Sequence, residues 1–181
     1  IDTVLLIVVL AFFAREFFPA FSYLRTRPIR KIALLFGLWL VVVIVQGSIR
    51  FALYGSNPPI ATSQQGVIDA LFDGTLGLAF SFFVTVGVPA IEEIFFRHIL
   101  IGKLSVYAPT WLVASISAVL FAYMHSHQWQ DFLSYLPLSI ILTLVYVKSG
   151  KNVAYSWLFH ALNNSIMVGL MFAMQGALQN A

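Results

Sequence analysis

The chain has 181 residues, of which 60% are hydrophobic and only 9% charged, with a net charge of +3. A soluble globular domain carries about 25% charged residues, so this composition excludes an ordinary water-soluble fold and points to lipid as the solvent. Nucleic acid is excluded as a partner because the basic residues lie in short loops rather than on one face, and disulfides are excluded because there is no cysteine.

A membrane-spanning helix needs roughly 20 mostly apolar residues, and six stretches are candidates. The first runs from about Thr3 to Leu24 and is the weakest, because Arg15, Glu16 and Pro19 interrupt it. No small-residue cleavage site follows it, which argues against a signal peptide. Because Ile1 rather than Met opens the chain, residues are expected to precede it. The second span, Ile32 to Tyr54, is strongly apolar up to Val45 and then turns polar through Gln46, Ser48 and Arg50. A Gly, Asn and Pro-rich loop, "GSNPPIATSQQG", leads to "VIDALFDG", an amphipathic stretch suited to the membrane interface. The third span covers about Leu76 to Ile101, the fourth Thr110 to His125, the fifth Phe132 to Val147 and the sixth Val153 to Met174. The apolar runs are too long for strands and do not alternate. The expected fold is therefore all-α, a polytopic helical membrane protein of about six transmembrane helices. No repeat or linker divides it, so residues 1–181 are expected to form one domain, with a motif-bearing core over about 76–174.

Loop charges give the orientation. Arg25, Arg27, Arg30 and Lys31 follow the first span, Lys103 follows the third, and Lys148 and Lys151 follow the fifth. Strict alternation puts these three loops on one side, while "GSNPPIATSQQG" and "SHQWQD" on the other side contain no Lys or Arg. The positive-inside rule makes the basic side cytoplasmic, and a multi-pass protein of the cell membrane is expected.

An ionisable group inside a span costs several kcal/mol unless paired or hydrated, so each one marks a candidate site. In "PAIEEIFFRHIL", Glu93 and Arg97 are four apart and share a helix face, with the acid N-terminal as such pairs prefer. Glu92 lies about 100° round the helix and has no such partner. The pair neutralises one carboxylate, and the other is free for chemistry. In "FAYMH", Phe121 and His125 are four apart; His127, just beyond, reads as interfacial. In "HALNN", His160 and Asn164 share a face with Asn163 beside them, either as interhelical glue or as part of a site. A rise of about 1.5 Å per residue puts Glu92 and His160 on the order of 10 to 15 Å from the basic side, with His125 several ångströms further.

The ordered set "EEIFFR", "FAYMH" and "HALNN" closely resembles the CPBP family, the CAAX proteases and bacteriocin-processing enzymes, whose motifs are EExxxR, FxxxH and HxxxN on separate membrane helices. The resemblance covers about the last half of the chain. It implies an intramembrane endopeptidase acting on a membrane-bound peptide or protein in the bilayer, such as a prenylated CAAX protein or a bacteriocin or pheromone precursor, with immunity among the roles of bacterial members. Glu92 would then be the general base in a low-dielectric cavity, His125 would share or orient the water, and His160 with Asn164 would donate to the oxyanion. Glu93, Arg97 and Phe121 would be structural or substrate-positioning. This mechanism needs no metal or other cofactor. Zinc is the alternative, with Glu92 or Glu93, His125 and His160 as ligands, although the HExxH spacing is absent and Arg97 would repel the ion. A different class also fits the same motifs: a catalytically silent scaffold that binds a partner membrane protein. A transporter would also bury charges, but no inverted repeat or pair of broken helices accompanies them. Pro89 and the glycines before it are expected to loosen or kink the third span.

Overall fold

The computed structural model describes residues 14–15, 17–56 and 77–179. Most of the first expected span, most of the "GSNPPIATSQQG" loop and the whole of the "VIDALFDG" stretch lie outside the described residues.

The described chain is helical throughout. A short 3-10 turn, Phe21–Arg25, leads into helix α1, Pro28–Tyr54. Pro28 suits a first turn, where its missing N–H leaves no gap in the ladder. Gly55 ends α1 with φ 68°, a conformation only glycine adopts freely, and its N–H donates to Phe51 O at 2.8 Å. Helix α2 occupies residues 77–106. It is α-helical over Gly77–Phe82 and Val88–Glu92, π-helical over Phe83–Gly87 and Glu93–Lys103, and closes in a 3-10 turn, Leu104–Val106. Helix α3 spans Thr110–Met124 behind Pro109, and His125 caps its C-terminus. Helix α4 spans Trp129–Lys148. A turn with positive φ at Gly150 and Lys151 follows, and α5 then runs over Val153–Gln179. Asn152 caps α5: its side-chain oxygen accepts from the Tyr155 N–H at 2.8 Å.

Three of these helices, Pro28–Tyr54, Ala79–Val106 and Trp129–Lys148, are long and apolar enough to cross a membrane, and Thr110–Met124 is a shorter apolar helix. Their outer faces explain why. In α1 only Leu35 and Val42 are buried, while Ile29, Ile32, Leu34, Phe36, Val41 and Ile44 are exposed. An apolar face this continuous is stable only against lipid or another protein. The chain is an all-α helical membrane protein.

Helix α4 is central and packs on α1, α3 and α5. One apolar cluster joins Leu35 and Val42 of α1, Phe96 of α2, Phe121 of α3, Leu138 and Leu142 of α4, and Phe159 of α5. A second joins Phe17, Ala90, Ile101, Tyr146 and Ala154. Buried serines tie the helices together: Ser117 Oγ donates to Phe96 O at 2.7 Å and Ser139 Oγ to Ala118 O at 2.8 Å. The basic loops gather at one end of the bundle. There Lys151 Nζ donates to Ser105 Oγ, Asn152 Nδ2 to Ala20 O, and Tyr155 OH to Lys31 O.

Candidate active site

Glu93 and Arg97 form the contact that their spacing predicts. Arg97 Nη1 lies 3.1 Å from Glu93 Oε1, and both side chains are fully buried. Arg97 also reaches Ser139 O of α4 at 3.5 Å, and its guanidinium lies 4.4 Å from the Phe121 ring centroid. Phe121 also carries the His125 imidazole, stacked at 4.3 Å, so one aromatic ring contacts both the arginine and the histidine. The spacing of four in "FAYMH" has two physical functions: it makes this stack, and it lets His125 Nδ1 donate to Phe121 O at 2.8 Å.

Glu92 faces a different way. Its side chain keeps 20% exposure against 0% for Glu93, and it lines a cavity of about 470 Å³. Its Oε1 lies 3.3 Å from His125 Nε2, and its Oε2 lies 3.5 Å from His160 Nε2. His160 Nδ1 donates to Glu93 Oε1 at 3.1 Å. Both rings therefore secure Nδ1 on an acceptor and turn Nε2 toward the same carboxylate. Each separation slightly exceeds a direct hydrogen bond. The rise count left His125 several ångströms further from the basic side than Glu92 and His160, a gap that a tilted or broken fourth span could close. That count locates backbones only, and the meeting is made by side chains projecting from three helices.

Asn164 lines the same cavity, but its Nδ2 donates to Val84 O at 3.0 Å and its Oδ1 accepts from Asn163 Nδ2 at 3.2 Å. The pairing of His160 with Asn164 as adjacent donors is thus looser than their shared face predicted, since Asn164 is also engaged with α2. The source is the π-helical segment Phe83–Gly87, whose displaced ladder presents carbonyls sideways: Val84 O accepts from Asn164 and Val86 O from Trp157 Nε1 at 3.0 Å. The loosening expected before Pro89 takes this form, and α5 docks onto it.

The sequence also left several cavity-lining residues unassigned: Gln46 and Arg50 of α1, Ser134 and Tyr135 of α4, and Asn163. The polar end of the second span was a signal for Gln46 and Arg50. His127, read as interfacial, is exposed and lines the cavity as well. His98, on the same short stretch as the glutamates, does not line it.

The donors suited to zinc are Glu92, His125 and His160. Their Nδ1 partners resemble the outer partners that hold metal-ligating histidines. Among the described residues, however, no group of three or more His, Cys, Asp or Glu is placed to hold an ion. The two observations point in opposite directions.

A helical membrane bundle with one carboxylate and two imidazoles converging on a cavity, and a second carboxylate buried behind them on an arginine, has the parts for hydrolysis within the bilayer. A family model described as Type II CAAX prenyl endopeptidase Rce1-like matches residues 74–166, just over half of the chain. The chain belongs to this family, a branch of the CPBP proteins, and at that level it is a CAAX-type intramembrane endopeptidase. The match contains every motif residue from Glu92 to Asn164 and leaves out α1. No curated protein and no solved structure gives a significant match.

Proposed function

We propose that the protein hydrolyses a peptide bond of a membrane-bound peptide or protein with a water activated by Glu92, without a metal. One observation carries this. Of two adjacent carboxylates, Glu93 is held by Arg97 and His160, while Glu92 opens to the cavity with an imidazole nitrogen against each oxygen. Glu92 takes the proton as the water oxygen bonds to the scissile carbonyl carbon. His125, fixed by Phe121, orients that water. His160, held by Glu93 through Nδ1–H and carrying a second proton on Nε2, and the second N–H of the Asn164 amide donate to the developing oxyanion. Glu92 then passes the proton to the leaving nitrogen, the C–N bond breaks, and the acyl product keeps the water oxygen.

The test is Glu92→Gln, which keeps shape and removes the base. Wild type and variant are expressed in membranes at matched levels, and released peptides are compared by mass spectrometry. A set of products is expected to vanish with the variant, and their termini identify the substrate. Matching profiles would instead favour a silent scaffold that binds a partner. A strong chelator is expected to leave the wild-type product set unchanged. Loss of activity with chelator and its return with zinc would replace this mechanism by a zinc-dependent one through the same three donors.

A further inference from the structure

Seven of the chain's ten lysines and arginines lie in the three basic loops at one end of the bundle. The carboxylates among the described residues are Glu92, Glu93 and Asp131. The glutamates belong to the candidate site, and Asp131 sits in the first turn of α4, at the opposite end of that helix from Lys148. Among the described residues, therefore, no acid balances the basic end. Two of its cations are committed to the protein. Lys31 Nζ donates to Tyr23 O and lies 3.5 Å from the centroid of the Tyr23 ring, and Lys151 Nζ donates to Ser105 Oγ. Lys148, in the last turn of α4, is exposed and has no hydrogen-bond or ion-pair partner among the described residues.

Beside Lys148 the surface of the bundle is indented. Helices α1, α4 and α5 and the Phe21–Arg25 turn leave a slot of about 240 Å³ that shares no lining residue with the Glu92 cavity. Leu34 and Leu38 of α1, Ile141 and Leu144 of α4, and Tyr23 line it, with Lys148 at its rim. Leu34 is 55% exposed and Leu144 45%, so the slot opens sideways to where lipid tails lie. Its floor is fixed: the Tyr23 and Tyr155 rings meet at 5.2 Å, and Tyr155 OH donates to Lys31 O at 2.9 Å. An apolar slot with an unpaired ammonium at its polar end matches a molecule with an apolar tail and a negatively charged head, as basic pockets between membrane helices do. We propose that this slot is a binding site for an anionic phospholipid, with an acyl chain between α1 and α4 and the headgroup phosphate on Lys148. The bound lipid ties α1, which lies outside the 74–166 family match, to α4. The rule that puts basic loops on the cytoplasmic side also puts this slot in the leaflet richer in acidic lipid. The assignment is independent of hydrolysis at Glu92.

The experiment titrates the purified protein, in a mild non-ionic detergent, with phosphatidylglycerol, with phosphatidylcholine of the same chains and with inorganic phosphate. Native mass spectrometry reads the bound lipid, and thermal unfolding reads its effect on stability. Phosphatidylglycerol is expected to bind as one tight equivalent and to raise the melting temperature. Phosphatidylcholine is expected to bind about tenfold more weakly, the scale of one charge-assisted contact, and inorganic phosphate to change nothing. Lys148→Gln is expected to weaken phosphatidylglycerol about tenfold on the same scale. Lys103→Gln, at an exposed lysine of the same end that does not line the slot, is expected to leave it unchanged. Leu144→Trp, which narrows the slot, is expected to weaken both lipids. Equal binding of the two lipids, or equal weakening by Lys148→Gln and Lys103→Gln, overturns the site and leaves only a diffuse basic surface. Full binding in Leu144→Trp removes the acyl chain from the slot and overturns it too. Stabilisation by inorganic phosphate gives Lys148 to a soluble anion, and no tight equivalent of either lipid shows that the slot does not take one.

Discussion

Glu92 and Glu93 are neighbours in the chain, but their side chains leave α2 about 100° apart, and their surroundings differ accordingly. Glu93 and Arg97 are both fully buried, so removing one charge strands the other where water cannot reach it. Glu93→Gln is expected to destabilise the protein by about 3–5 kcal/mol, the usual result of breaking a buried pair. Glu92→Gln, at a partly exposed carboxylate, is expected to keep the fold and lose the activity. Thermal unfolding in detergent separates the two. If Glu93→Gln melts no earlier than Glu92→Gln, the ion pair is not the support described here. The Glu93–Arg97 contact was legible in the sequence, because an i,i+4 spacing is a distance. The contacts of Glu92 with His125 and His160 were legible only as candidates, since nothing in a linear spacing fixes how three helices approach.

At the scale of elements, α2 is the least regular helix and the one that bears the catalytic candidates. Pro89 cannot donate to the carbonyl four residues back, and its ring crowds that carbonyl, which belongs to Thr85. Thr85 lies within the π-helical Phe83–Gly87, so the irregularity falls where the proline requires it. Side chains of α5 then take up the carbonyls turned outward. Further along, Gly102 lets α2 approach α4: a Cβ there would lie 2.7 Å from the Tyr146 hydroxyl, on a side chain only 1% exposed. Gly102→Ala is expected to cost about 1–3 kcal/mol by overpacking. Adding Tyr146→Phe removes the clashing oxygen and leaves the next ring atom at 3.9 Å, an ordinary contact, so the double variant is expected to regain much of the loss. An unfolding comparison of both variants checks this, and equal melting of the single and double variants would show that the hydroxyl is not the obstacle.

At the scale of the molecule, the three basic loops meet at one end, through Lys151 with Ser105 and Tyr155 with Lys31. The cavity opens among residues of the other end, including Arg50, His127 and Tyr135. If the basic end is cytoplasmic, as the positive-inside rule holds, the substrate enters from the opposite leaflet. The absence of cysteine makes the chain suited to a direct measurement. A cysteine at Gln128 is expected to react in intact cells with a thiol reagent that cannot cross the membrane, and one at Lys148 only after permeabilisation. The reverse pattern would turn the whole molecule over and bring the cavity to the cytoplasmic side.

What the sequence determined by itself was the solvent, the helical class, the motif residues and the ion pair within one helix. Each depends on composition or on spacing along a single element, where the backbone geometry is known in advance. What only the tertiary structure decided was that Glu92 meets both histidines at one cavity, that Asn164 is held by a carbonyl of α2, and that Arg50 shares a wall with Glu92. Those facts depend on how separate helices rotate and approach one another. That is set by packing across the bundle, by Gly102 against Tyr146, by buried serines between helices and by the proline that breaks α2's regularity, and not by the order of residues along any one of them.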